Sequence, residues 1–174
     1  MEKQVQEIKR AMAGDKDALV SLIMKQKNDY YRLAYVYMKN QEDALDALED
    51  MILILYQRIG SLKKEEAFYS WSKRILVSCC LDRIRKNKRL VHLEDWEKAD
   101  PRDAYRDKDH QIDLEREINR LKAKQQEVIR LRFFLDYDYK TISEITNTPL
   151  GTVKSRLYHG LRNLRKGLGG EYNG

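Results

Sequence analysis

Apolar residues recur along most of this chain at intervals of three and four, the spacing of one face of an α-helix. Val5, Ile8 and Met12 mark a short first helix, and Gly14 ends it. Asp15 or Asp17 can cap a longer helix behind it. That helix carries Leu19, Leu22, Ile23, Tyr30, Leu33, Ala34, Tyr37 and Met38 on one broad stripe. Asn40 with Asp43 resembles a capping pair for the next helix. Its stripe is Ala44, Ala47, Leu48, Met51, Ile52, Leu55 and Ile59, with Gly60 as the stop. After a polar stretch from Ser61 to Glu66, a fourth helix runs from about Ala67 to Lys88. Phe68, Trp71, Ile75, Leu76, Cys79 and Ile84 form its buried side.

Periodicity then lapses across residues 94–113 and resumes at Leu114. Residues 113–135 read as one or two helices, with Leu114, Ile118, Leu121, Val128, Ile129, Leu131 and Leu135 turned inward. Thr141 to Thr146 is a short helix with Ile142 and Ile145 inside, and Asn147, Thr148 and Pro149 make a turn. A longer helix follows, with Leu150, Val153, Leu157, Leu161 and Leu164 on its buried face. A short helix, a tight turn and a longer amphipathic helix make a helix-turn-helix.

Composition agrees with helices throughout. Two prolines and eight glycines in 174 residues are too few for an all-β protein with many tight turns. No apolar run approaches the roughly 18–20 residues that cross a bilayer. The N-terminal segment lacks an apolar signal core, so a cytoplasmic protein without membrane insertion is expected.

Charge sharpens the division of the chain. The net charge is +6, from 34 Lys and Arg against 28 Asp and Glu. Residues 1–93 carry a net of +5, residues 94–113 a net of −4, and residues 114–174 a net of +5. Two basic helical blocks therefore flank an acidic stretch with the composition of a linker. Basic blocks suit a polyanionic partner, because phosphate contacts release condensed counterions.

The candidate chemistry is binding rather than catalysis. No Gly-rich phosphate loop or nucleophile motif occurs, and His92, His110 and His159 are scattered. Cys79 and Cys80 are adjacent, without a C-x-x-C or a nearby Cys/His cluster, so no metal site or cofactor is expected. Adjacent residues lie about 100° apart on a helix, which predicts one core cysteine and one partly exposed neighbour. Trp71 reads as a core anchor. The fourth helix carries Lys73, Arg74, Arg83, Arg85, Lys86, Lys88 and Arg89 against the single acid Asp82, a face suited to DNA. The helix before it exposes Asp43, Asp46, Glu49, Asp50 and Gln57, which would repel DNA and suits a protein partner. In the last long helix, Thr152, Lys154, Ser155, Arg156, His159 and Arg162 face outward. Polar side chains near its start can reach base edges, and the later arginines can take phosphates.

In this arrangement the chain resembles a sigma factor of bacterial RNA polymerase, of the compact extracytoplasmic-function type. In the first block the likeness rests on Asp43-Ala44, Asp46 and Asp50 followed by Leu53 to Tyr56. It continues in Phe68-Tyr69-Ser70-Trp71 and in Ile75 through Asp82-Arg83-Ile84-Arg85-Lys86. In the second it rests on Gln126 to Arg132, on Ile142-Ser143-Glu144-Ile145 and above all on Gly151-Thr152-Val153-Lys154-Ser155-Arg156-Leu157.

The resemblance implies an all-α fold of two small helical domains. Region two would cover residues 1–90 and region four residues 113–174, joined by a flexible acidic linker over 91–112. It implies that Asp46, Glu49, Asp50 and Gln57 dock on the clamp helices of the polymerase, and that the protein is not itself an enzyme. It implies that the loop Ser61–Ala67 and the helix after it recognise the minus-ten element, capturing a base flipped from the non-template strand. Ser61, Lys63, Lys64, Lys73, Arg74, Ser78, Arg85 and Lys86 are the candidates there. The helix-turn-helix would read the minus-thirty-five element through Thr152, Lys154, Ser155, Arg156, His159 and Arg162. The linker would thread toward the RNA exit channel, and an anti-sigma factor is a further expected partner. Two positions depart from the family pattern, which usually has Gln at Glu49 and Asn at Ser78; Arg is also common where His159 stands. A stand-alone helix-turn-helix regulator is the alternative reading.

Overall fold

The computed structural model describes residues 1–94 and 110–169, and all of the secondary structure among them is helical. Most of the acidic segment expected as a linker, Trp96 with it, lies outside the described residues. The chain divides into two compact units, with the main division between Arg85 and Lys86.

The first unit contains α1 (Glu2–Met12), α2 (Lys16–Lys25), α3 (Lys27–Met38), α4 (Gln41–Arg58) and α5 (Phe68–Glu94). Two single 3-10 turns, Ile59–Ser61 and Glu65–Ala67, lie between α4 and α5. The caps are those the local sequence favours. Asp15 Oδ1 accepts from the Ala18 amide at 3.1 Å, and that bond together with Arg10 holds the Asp15 carboxyl below its ordinary pKa. Asn40 Oδ1 accepts from the Asp43 amide at 2.8 Å while its Nδ2 donates to the Asp43 carboxylate at 2.7 Å. Gly14 takes a φ of +105°, which only glycine adopts without strain. Lys39, with a φ of 65°, closes α3 in the left-handed region.

The single long helix expected over Leu19 to Met38 is two helices. Gln26 lies outside both, and its amide turns back to Ile23 and Met24. The run Lys25 to Asp29 has no apolar side chain to bury, so nothing holds a straight helix against the core there. The break re-phases the two stripes, so that α2 packs on α1 and α3 on α4. Leu19, Leu22, Tyr30, Leu33, Met51, Leu55, Phe68 and Leu76 fill the core at 1% exposure or less. Each such side chain contributes roughly 1.5–3 kcal/mol by leaving water.

Helix α5 is held from several sides. Tyr30 on α3 shares a 2.7 Å hydrogen bond with the buried Ser72, Gln4 on α1 reaches Tyr69, and Asp50 on α4 reaches Arg83. A helix covered on more than one side buries a wide arc. Cys79 and Cys80 are therefore both buried, where the helical angle alone predicted one exposed neighbour. Burial pushes the two thiols up to about 11 and about 12.

The second unit contains α6 (His110–Arg120), α7 (Ala123–Ile129), α8 (Tyr139–Thr146) and α9 (Leu150–Gly167). A π-helical turn, Arg130–Phe134, continues α7. Ile118, Val128, Ile129, Leu131, Ile142, Val153 and Leu157 are buried. Leu114, Leu150 and Leu161, expected inside, are 37%, 43% and 38% exposed. The buried line of α9 instead runs Val153, Leu157, Gly160. A Cβ on Gly160 would stand 2.9 Å from Ile129 Cδ1 and 3.2 Å from Gln125 Cβ, so the missing side chain lets α9 close on α7. That close approach leaves the flanking Leu161 at the edge.

Arg130, the first residue of the π-helical turn, is buried and anchors α6. Its Nη2 donates to Glu115 at 2.6 Å and to Asn119 at 3.1 Å, and its guanidinium lies 5.4 Å from the centre of the Phe134 ring. The turn between α8 and α9 passes through Asn147 at a φ of 50°, a conformation asparagine tolerates better than most residues. Pro149 then precedes the first helical residue of α9.

Candidate functional site

Three surfaces carry the residues singled out by the sequence. The first is the outer face of α4. Asp46 and Asp50 are half-buried, whereas Glu49 and Gln57 are exposed. Asp46 and Asp50 sit one helical turn apart and share one cation. Arg83 of α5 donates from Nε to Asp50 Oδ2 at 2.7 Å and places Nη1 at 3.7 Å from Asp46 Oδ2. The hydrogen bond to Asp50 raises the pKa of Arg83 above its already high value. Beside the acids run Leu45, Leu53 and Tyr56, exposed at 44%, 63% and 37%. Sequence periodicity missed this apolar strip as a surface. Its signal was there, since these positions lie off the buried line Ala44, Ala47, Met51, Leu55. An apolar strip flanked by carboxylates suits a protein partner that supplies both apolar and basic side chains.

The second surface is the loop between α4 and α5 with the outer side of α5. Ile59 and Leu62 are buried at 7% and 8%, which pins the loop, while Ser61, Lys63 and Lys64 are exposed. Ser61 Oγ donates to the Arg58 carbonyl at 2.7 Å, so its proton is spent on the loop itself. Arg74, Ser78 and Arg85 are exposed and fall along one side of α5 at spacings of four and seven. Lys86 is exposed beside them. Arg85 pairs with Asp82 at 2.7 Å, which places a carboxylate within this basic line. Lys73 stands apart. It is half-buried, and burial lowers its pKa against the opposing charge of Asp29. Trp71, expected as a core anchor, is half-buried with its ring centre 6.3 Å from that of Phe68.

The third surface is the outer side of α9. Lys154, Ser155, His159 and Arg162 are exposed, and Thr152 and Arg156 are half-buried. Ser155, His159 and Arg162 follow one another at spacings of four and three, so they share a face. Arg156 Nη1 reaches back to Thr148 Oγ1 in the turn at 3.5 Å. His159 stands edge-to-face with Tyr158 at 5.3 Å between ring centres. Tyr139, at the start of α8, was not picked out by the sequence. Its ring has the Arg132 guanidinium at 5.7 Å and Lys154 Nζ at 6.0 Å, so it gathers two cations at the edge of the basic face. The α8 start is capped by Asp138, whose Oδ1 accepts from the Thr141 amide at 2.7 Å.

No group of His, Cys, Asp and Glu that could hold a metal ion occurs among the described residues. Nor is any described helix long and apolar enough to cross a membrane.

Among the described residues the secondary structure is all helical, and a basic helix face in one unit with a basic helix-turn-helix in the other is the organisation of a two-domain DNA-binding protein. Residues 22–90 match the model of sigma-70 region 2, and residues 111–164 that of sigma-70 region 4. The chain is 35% identical over 154 residues to RNA polymerase sigma factor SigV of Bacillus subtilis, covering 86% of this chain and 90% of SigV. It is 30% identical over 177 residues to the ECF RNA polymerase sigma factor SigW of the same organism, covering 92% and 94%. Among solved structures, CnrH in complex with the cytosolic domain of CnrY shares the fold at a TM-score of 0.69 and 15% identity, over 97% of this chain and 98% of that one. The sigma factor RpoE in complex with the anti-sigma factor NepR from Bartonella quintana does so at 0.66 and 20%, over 88% and 98%. The chain belongs to the extracytoplasmic-function group of sigma-70 family RNA polymerase sigma factors.

Proposed function

We propose that the three surfaces divide the work of promoter recognition. The α4 face docks on the clamp helices of core RNA polymerase, through Asp46, Glu49, Asp50 and Gln57 around the apolar strip. The loop Ser61–Ala67 with Arg74, Ser78, Arg85 and Lys86 engages the minus-ten element as it opens. The outer side of α9 reads the minus-thirty-five element as duplex, with Thr152, Ser155 and Arg156 near the bases and His159 and Arg162 toward the backbone.

One observation carries the division: α4 presents carboxylates and apolar side chains, whereas the outer sides of α5 and α9 present cations. A polyanion is repelled by the first surface and attracted by the other two. Flipping a base costs stacking energy, which contacts to the extruded base and the backbone must offset. The exposed Lys63 and Lys64 and the basic line on α5 suit the backbone part of that exchange. Lys73 fits it least, since half-burial costs it solvent access.

RpoE was solved with an anti-sigma factor, which supports a regulator of the same kind here. Such a partner would cover the α4 face in the cytoplasm and compete with polymerase for it.

Run-off transcription from selected promoters, with core polymerase and this protein, tests the proposal. Initiation that depends on both elements is expected. Tight duplex binding without initiation would favour a stand-alone regulator instead.

A further inference from the structure

The loop Ser61–Ala67 holds its shape in part by itself, through Leu62 N–H to the Ile59 carbonyl at 3.2 Å and Ala67 N–H to the Lys64 carbonyl at 3.1 Å. Between its two 3-10 turns the backbone is extended, with ψ of 129° at Leu62 and 128° at Lys64. Only Ile59 and Leu62 tie that stretch to the core. Further ties come from α1. Gln4 Nε2 donates to the Tyr69 hydroxyl at 2.6 Å, across 65 residues of chain. Lys9 Nζ lies 3.4 Å from Glu65 Oε1. At the other end of the loop, a Cβ on Gly60 would stand 3.9 Å from the carbonyl oxygen of Met12. Helix α1 is itself fixed beneath by the buried Ile8 and Ala11.

These contacts fall on both sides of the exposed Lys63 and Lys64. Gly60 precedes them, Glu65 follows on the second 3-10 turn, and Tyr69 stands on the first turn of α5. The Glu65 carboxyl is held below its ordinary pKa, first by its own backbone amide and then by Lys9.

We propose that α1 braces the minus-ten loop, with Gln4 and Lys9 as positioning residues that set the loop's shape for an extruded base. This rests on the reading of Ser61–Ala67 as the minus-ten loop. A preorganised loop binds without the ordering cost that a mobile one incurs on contact, and it rejects a wrong base because it does not adapt to it. The brace therefore acts on discrimination more than on total affinity. Neither Gln4 nor Lys9 needs to touch DNA.

The test uses holoenzyme assembled from core polymerase and the full chain. Two single-stranded probes are compared: an oligonucleotide carrying the minus-ten motif selected on the wild-type holoenzyme, and the same oligonucleotide with the motif scrambled. In the double variant Gln4→Leu with Lys9→Glu, the ratio of the two affinities is expected to fall roughly threefold to tenfold. Affinity for core polymerase and for minus-thirty-five duplex should stay as in the wild type. Lys9 is 61% exposed, so Lys9→Glu alone leaves the core intact, and adding Glu65→Lys should restore part of the ratio. An unchanged ratio in the double variant, with binding lost in Lys63→Ala/Lys64→Ala, overturns the brace and leaves the loop reading standing. Unchanged binding in the loop-lysine variant overturns the loop reading itself. Failure of Glu65→Lys to rescue Lys9→Glu removes Lys9 from the brace.

Discussion

Arg83 Nε donates to Asp50 Oδ2 at 2.7 Å, tying the helix that bears the minus-ten candidates to the helix that bears the acids proposed to dock on polymerase. The same guanidinium faces Asp46 at 3.7 Å. Two carboxylates one turn apart would otherwise repel each other, and the arginine offsets that repulsion. Both side chains of the close pair are more than 30% exposed, so water and salt screen the interaction. A double-mutant cycle of Arg83→Gln and Asp50→Asn in thermal unfolding should give a coupling of about 0.5 kcal/mol that shrinks in 1 M salt. A coupling near zero at low salt would show that the pair does not form in solution.

Cys79 and Cys80 should be inert in the folded protein. Their thiols are pushed up to about 11 and about 12 by burial, so the reactive thiolate is scarce at pH 8. A colourimetric thiol reagent should label neither before unfolding and both in denaturant. Prompt labelling of either one under native conditions contradicts this.

Gly160 should tolerate Ala but not Val. An Ala methyl needs Cδ1 of the buried Ile129, and Gln125 Cβ, to give way by a few tenths of an ångström, and its better helix propensity offsets part of that crowding. A Val adds two branches against Ile129 and Gln125, and such overpacking costs about 1–3 kcal/mol. Thermal unfolding of the two variants, with duplex binding as a second readout, separates them. Equal stability would mean that α9 stands further from α7 than described.

On α9 the two arginines should fail differently. Arg162→Ala is expected to weaken binding to every duplex alike and to lower the salt slope by about one. Arg156→Ala, nearer the turn and already oriented by Thr148, should lose preference for the selected minus-thirty-five sequence. Fluorescence anisotropy against selected and scrambled duplexes at several salt concentrations reads both effects. Loss of preference in Arg162→Ala with none in Arg156→Ala would reverse the assignment.

Most of the helices were legible in the sequence, because their signals are local. The Asn40 cap, the Gly14 stop and the turn at Asn147 to Pro149 depend on a few neighbouring residues. What was not legible depends on distant partners. The break at Gln26 follows from which neighbour each stripe packs against, and the burial of both cysteines from how many sides of α5 are covered. Gly160 reads as a helix-weakening residue until Ile129 is placed beside it. The candidate surfaces follow the same division. Exposed charges on α4 and α9 could be read from periodicity, whereas Arg83 between two acids, Tyr139 between two cations and Lys73 half-buried needed the third dimension.

The loop after α4 alternates between side chains that hold it and side chains that it displays. Ile59 and Leu62 are committed to the core and Ser61 to the Arg58 carbonyl, whereas positions 63 and 64 bear almost none of its weight. Substitutions at the displayed positions leave the packing untouched, so they are free to vary without loss of folding. On the reading proposed for this loop, the spelling of the promoter can drift through these two side chains while the scaffold stays fixed. New target genes can then be acquired by point mutation rather than by rebuilding the domain.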